Sequence, residues 1–169
     1  MRKYNFCAGP SALPTEVLEE LKEEILDWKK YGLSVMEMSH RSKEVVEIAE
    51  TAKQDFIDLL KIDSNYDVLF IQGGASLQFS MVPMNLLPSS DSLSNYLNVG
   101  QWSKKAIKEA KKYGNLNISA SSEDISFKQY PSPSDWKIDD SASYLHLVMN
   151  ETIDLSLIHI SEPTRPYLI

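Results

Sequence analysis

The residues best placed to do chemistry lie where short apolar runs give way to helical patterns. In Phe70-Ile71-Gln72-Gly73-Gly74-Ala75-Ser76-Leu77-Gln78-Phe79, two glycines separate a run that reads as a strand from a pattern that reads as a helix. Glycines let the backbone turn tightly, and the first amides of the following helix have no acceptor within it. Those N–H groups, at the positive end of the helix dipole, suit a phosphate or another anion. Ala75 and Ser76 would supply them, with the Ser76 hydroxyl as one more donor. A plain tight turn uses the same pair of glycines. The spacing matches neither the dinucleotide fingerprint nor a phosphate loop ending in lysine, which argues against nucleotide binding.

Trp102 follows Asn98-Val99-Gly100-Gln101 at the end of an expected strand and just before a helix. Ligands of open α/β sheets gather beyond the carboxyl ends of strands, where a large aromatic could stack on a flat ring. A tryptophan packed into the core is the competing reading. Asn150-Glu151-Thr152 also follows a strand, and the Thr152 hydroxyl could bond a ring substituent or cap the next turn. His40 and Arg41 sit in a loop before a helix. The arginine fork matches a carboxylate or phosphate, although loop charges are commonly just solvated. His146 alternates within an apolar strand and reads as structural, and Cys7 has no activating partner in the sequence.

The elements that must position these residues alternate between helix and short apolar strand. Pro14 opens a helix expected over about 15–31, with Val17, Leu18, Leu21, Ile25 and Trp28 on one face and Gly32 ending it. Ser42 caps a second helix whose stripe is Val45, Ala49, Ala52, Phe56 and Leu59. Val68-Leu69-Phe70-Ile71 reads as a strand buried on both faces, and a third helix from about Ser76 contains Pro83, expected to kink it. Further strands are expected at about 93–99, 116–119 and 144–149, with a helix over 103–113 closed by Gly114. The polar stretch 119–140 reads mostly as loop. The fold class is α/β, with a mostly parallel central sheet flanked by helices.

The 169 residues, 43% hydrophobic, can bury one ordinary core. A net charge of -7 argues against nucleic-acid or anionic-membrane partners. The local run Lys104, Lys105, Lys108, Lys111 and Lys112 falls at helical spacing and reads as a solvated face. One cysteine, Cys7, leaves no internal disulfide framework and suits a reducing compartment. No apolar run approaches a signal sequence or a membrane span, so a cytoplasmic location is expected.

In order and spacing, these segments make the chain resemble the phosphoserine aminotransferases over about its first 153 residues. The match is carried by Tyr4-Asn5-Phe6 with Ala8-Gly9-Pro10, Leu26-Asp27-Trp28, Ser34-Val35-Met36-Glu37 and Ser39-His40-Arg41-Ser42. It continues through Leu69 to Ser76, Gln78-Phe79, Gly100 to Ala106 and Asn150-Glu151-Thr152-Ile153. The resemblance implies a fold-type-I enzyme using pyridoxal 5'-phosphate, a homodimer with active sites at the subunit interface. It implies amino-group exchange between phosphoserine and 2-oxoglutarate, making 3-phosphohydroxypyruvate and glutamate in serine biosynthesis. On that basis Ala75 and Ser76 hold the cofactor phosphate, Trp102 stacks on the pyridine ring and Thr152 bonds near the ring hydroxyl. Arg41, assisted by His40, binds a substrate carboxylate or phosphate. Some members carry arginine where this chain has Ser76, which would shift phosphate recognition toward His40 and Arg41.

The resemblance also implies a lysine that carries the cofactor covalently and an acid beneath the pyridine nitrogen, both beyond the Asn-Glu-Thr segment. The last lysine here is Lys137, so no residue of this chain is assigned as catalytic, and no metal is expected. The expected organisation is an N-terminal arm at 1–14, a partial cofactor-binding large domain at 15–153, and a tail at 154–169. The fold is then an incomplete three-layer sandwich. From Leu155 to Arg165 the tail reads as a translated transposon-type sequencing adapter. Two alternatives to an inactive fragment stand beside this reading. One is a true truncated module pairing with a full-length subunit, the other a fold-type-I aminotransferase of another small amino acid.

Overall fold

Pro14, with its fixed φ, leads into helix α1, Thr15–Glu24, in a computed structural model that describes residues 2–7, 9–153 and 156–157, the last two by backbone alone. The helix stops short of the expected Tyr31. Asp27 turns to an extended φ of -150°, and its Oδ1 accepts the Gly32 N–H at 2.6 Å. That side-chain bond competes with the helical one, and Trp28–Lys30 form a 3-10 turn instead. A second 3-10 turn, Val35–Glu37, is closed at its N-terminal end by a capping box: the Ser34 hydroxyl accepts from Met36 N, and Glu37 Oε2 accepts from Ser34 N.

Helix α2, Lys43–Leu60, begins at Ser42 as expected, its hydroxyl accepting the Val45 N–H at 3.4 Å. It ends on Lys61 in the left-handed region (φ 51°), with Ile62 N donating to Ile57 O. The stripe expected to face a core is not buried. Phe56 meets Phe70 edge-on at 6.0 Å yet stays 49% exposed, and Leu59 is 81% exposed. The expected strand at Val68–Ile71 does not form either, and Leu69 is 70% exposed. A strand exists only as part of a ladder, and this run has no ladder partner among the described residues.

The chain divides into two units, Met1–Phe70 and Ile71–Ile169. The second holds helix α3, Gly74–Leu86, strand β1, Leu93–Asn98, helix α4, Gln101–Ala110, and strand β2, Asn115–Ser121. Strand β3, Leu145–His146, is shorter than the run expected there. Pro83 is buried inside α3, in its C-terminal half, where its missing N–H removes a single bond. The sheet runs β2-β1-β3, both pairs parallel, with a register shift between Tyr96 and Leu97. Tyr96, Leu97, Val99, Ala106 and Ala110 are at most 1% exposed, and Phe79, Leu116 and Tyr144 pack against the cluster of Tyr96, Ala106, Ile107 and Ala110. The mixed α/β class with a parallel sheet is as expected from the sequence.

One buried polar side chain ties this unit together. Asn95 Oδ1 accepts from Asn117 Nδ2, Ser119 Oγ and Asp139 N, while its Nδ2 donates to Asp139 O at 2.9 Å. The central strand thereby holds both β2, which runs to Ser121 and so takes the first residues of the expected 119–140 loop, and the long connection after it, whose only helical pieces are 3-10 turns at Glu123–Ile125 and Pro133–Asp135. Because β1 and β3 are parallel, α4 and the Asn150-Glu151-Thr152 segment both begin at carboxyl ends of strands. Among the described residues no helix is long and apolar enough to cross a membrane. The expected tail at 154–169 lies outside the described residues, apart from the backbone of strand β5, Ser156–Leu157, antiparallel to strand β4, Asn150–Glu151.

Candidate active site

The centre of the site is the N-terminus of α4. Its N-cap, Gly100, has no side chain with which to satisfy the first amides. Ser103 reaches back instead: its hydroxyl accepts the Val99 and Gly100 N–H groups, each at 2.9 Å, and donates to Gly100 O. Two further donors go to a residue far along the chain. Trp102 N donates to Glu151 Oε2 and Ser103 N to Glu151 Oε1, both at 2.7 Å. Glu151 is 1% exposed, so a full negative charge lies buried against the positive end of the helix.

Thr152, the next residue, completes the connection. Trp102 Nε1 donates to Thr152 Oγ1 at 2.8 Å. An indole N–H can only donate, so the Thr152 oxygen must accept here, and its own proton remains to be given to a second partner. Lys105 Nζ stands 4.2 Å from the Trp102 ring centroid, a cation–π contact on one face. The other lysines of the run are surface groups: Lys104 pairs with Glu123 and Lys112 with Glu109. Their reading as a solvated face agrees with this. Burial, and then the charge of Glu151, push the Tyr130 phenol up to about 12. His146 stacks on Tyr96 at 4.7 Å, and burial lowers its pKa.

The glycine turn before α3 has the conformation expected of it. Gly73 takes φ +92°, and a Cβ there would stand 2.6 Å from Leu77 Cβ. With Leu77 N bonded to Gly73 O, the amides of Gly74, Ala75 and Ser76 have no acceptor within the helix, and no side chain caps it. Helices α3 and α4 are joined by Ser80 Oγ donating to Glu109 Oε2 at 3.0 Å.

Of the six residues singled out from the sequence, Trp102 and Thr152 are in direct contact. Ala75 and Ser76 lie in the first turn of α3 in the same unit. His40 and Arg41 belong to the first unit, exposed in the turn that leads to Ser42, where Arg41 N donates to Ser39 Oγ at 3.2 Å. Sequence reasoning passed over Glu151, Ser103 and Gly100. The signal available was Gly100, a residue without a capping side chain, just ahead of the helix expected from Ser103, and an acid at the end of a neighbouring strand.

Comparison with known proteins gives this constellation a family. The profile of the Aminotransferase class-V family matches residues 3–158. Phosphoserine aminotransferase of Pseudomonas entomophila (strain L48) is 53% identical over 152 residues, 90% of this chain and 42% of its own length. That of Acinetobacter baylyi is 53% identical over 154 residues, 90% of this chain and 43% of its own. Among solved structures, phosphoserine aminotransferase from Bacillus circulans subsp. alkalophilus superposes with a TM-score of 0.78 at 45% identity, over 89% of this chain and 41% of that one. The pyridoxal-phosphate-bound enzyme from Trichomonas vaginalis does so with 0.80 at 37% identity, over 90% of this chain and 43% of that one. This chain therefore spans about two-fifths of the length of these relatives, and it belongs to the class-V aminotransferases.

Proposed function

We propose that this chain is the N-terminal part of a phosphoserine:2-oxoglutarate aminotransferase dependent on pyridoxal 5'-phosphate. The observation that carries the reading is the Trp102–Thr152 hydrogen bond at the carboxyl ends of parallel strands, in a chain about half identical to proteins of that name. The residues present suit the cofactor. An uncapped first turn at Ala75 and Ser76 offers amides to its phosphate. Trp102, fixed at both amide and indole, offers a flat face to the pyridine ring, and Thr152 has a proton to give beside the ring hydroxyl.

When bound, the cofactor supplies an electron sink for bonds at the substrate α-carbon. The residues of this chain bind and orient. Arg41, with His40, takes a substrate carboxylate or phosphate, across the interface of a homodimer. The whole enzyme then exchanges phosphoserine and 2-oxoglutarate for 3-phosphohydroxypyruvate and glutamate, in the cytoplasm and in the service of serine biosynthesis. In the organisation we infer, an arm at 1–14 precedes a partial cofactor-binding domain at 15–153, and 154–169 is foreign to it. No lysine follows Lys137 in this sequence, and we assign no residue of it the role of carrying the cofactor covalently.

The test uses the full-length protein that contains this segment. Phosphoserine and 2-oxoglutarate should yield glutamate, and Trp102→Ala or Thr152→Val should each weaken cofactor binding about tenfold or more in equilibrium dialysis. A preference for another small amino donor would overturn the substrate assignment. Unchanged cofactor affinity in both variants would overturn the site.

A further inference from the structure

We propose that Glu151 is a positioning residue whose buried carboxylate sets the Trp102 ring and the Thr152 hydroxyl as one rigid pair; the role rests on the site assigned above. The argument starts at Gly100. Where a helix N-cap ordinarily offers serine, threonine or aspartate, α4 has a residue with no side chain. The space a side chain would fill holds the Glu151 carboxylate, since a Cβ on Gly100 would stand 2.5 Å from Glu151 Cδ and 2.7 Å from its Oε2. The missing cap is thus provided by a residue 48 positions beyond Ser103, in β4.

A cap alone could come from a nearby side chain. The choice of Glu151 has a second effect. Trp102 is held at its backbone amide by Glu151 and at its indole N–H by Thr152. Two adjacent residues therefore grip one residue, at its backbone amide and at the indole N–H of its side chain, which fixes the ring and the orientation of the threonine hydroxyl together. The carboxylate satisfies its two amides within a buried site, so it has no solvated alternative to exchange with. Loss of that anchor releases the Trp102 and Ser103 amides and leaves Trp102 held to the 150–152 segment through its indole bond.

The experiment is a double-mutant cycle on the full-length holoenzyme and its apo form, reading the dissociation constant of pyridoxal 5'-phosphate. Glu151→Gln keeps the shape but turns one acceptor into a donor facing an amide, and it should raise that constant about tenfold or more. Thr152→Val should do likewise, and the double variant should be little worse than either single one, because both act on the same pair. The apo unfolding midpoint is recorded for each variant. Should Glu151→Gln fail to fold, Glu151→Asp, which keeps the charge but draws it back by one methylene, takes its place with the same expected result. If Thr152→Val weakens binding while the Glu151 variant lowers only the unfolding midpoint, Glu151 is no more than a helix cap and the proposal falls. Strictly additive losses overturn it too. If neither Thr152→Val nor Trp102→Ala alters binding, the site assignment itself has failed, a result distinguishable from the first.

Discussion

Replacing Gly100 by alanine separates two effects of opposite sign. Its backbone is extended (φ 168°, ψ -169°), a conformation open to any residue. By chain entropy alone Gly→Ala there would stabilise the fold by about 0.4–1 kcal/mol. The new Cβ, however, would stand 2.5 Å from Glu151 Cδ and 2.7 Å from Cγ. Carbon contacts are comfortable at about 3.5–4.0 Å, so the carboxylate must withdraw by roughly 1 Å. Its two bonds, now 2.7 Å each, then stretch to about 3.7 Å, beyond hydrogen-bonding range. Each bond to a charged group contributes about 1.5–3 kcal/mol, and partial recovery elsewhere brings the expected net loss to about 3 kcal/mol. Glu151, at 1% exposure, cannot swing into water to avoid it. Amide hydrogen exchange at Trp102 and Ser103 reads the change where it occurs, with roughly a hundredfold loss of protection expected. In a Glu151→Ala background the obstacle is gone, and alanine at 100 should cost nothing further. A neutral or stabilising Gly100→Ala with unchanged protection would refute the reasoning.

Ser103→Ala should destabilise by about 2–4 kcal/mol in denaturant titration, since it leaves the buried Val99 and Gly100 amides without their acceptor. His146 is shifted down by burial, so the fold prefers it neutral. Stability should be complete above about pH 6.5, the unfolded value, and decline as pH falls through it. His146→Phe keeps a ring against Tyr96 and should remove that part of the acid dependence in melting curves recorded across pH.

What was legible in the sequence follows how local each signal is. Ser42 as a cap and the α3 and α4 patterns depend on residues within a turn or two, and they appear close to where they were expected. Strand β1 was legible because Leu93, Tyr96, Leu97 and Val99 lie between clear turns, and β2 and β3 pair with it on both edges. Val68–Ile71 is more apolar than β1 but has no ladder partner among the described residues, because a strand depends on distant partners that its own residues do not encode. The overrun of α1 came from missing one side-chain bond, Asp27 to the Gly32 amide. At the site, Trp102 and Thr152 were each visible as candidates at strand ends. Their bond to one another was not, since 50 residues separate them and only the parallel sheet makes them neighbours.

The distance along the chain between α4 and its carboxylate also matters in time. Ser103 and Glu151 are 48 residues apart, and at roughly 5–20 residues per second synthesis delivers the glutamate about 2–10 s after the serine. A nascent α4 begins life with its foremost amides turned to water, or to any anion that passes. The tryptophan is therefore made early and set late. An arrest of translation between Ser103 and Glu151 would leave a helix whose place for a negative charge is still open.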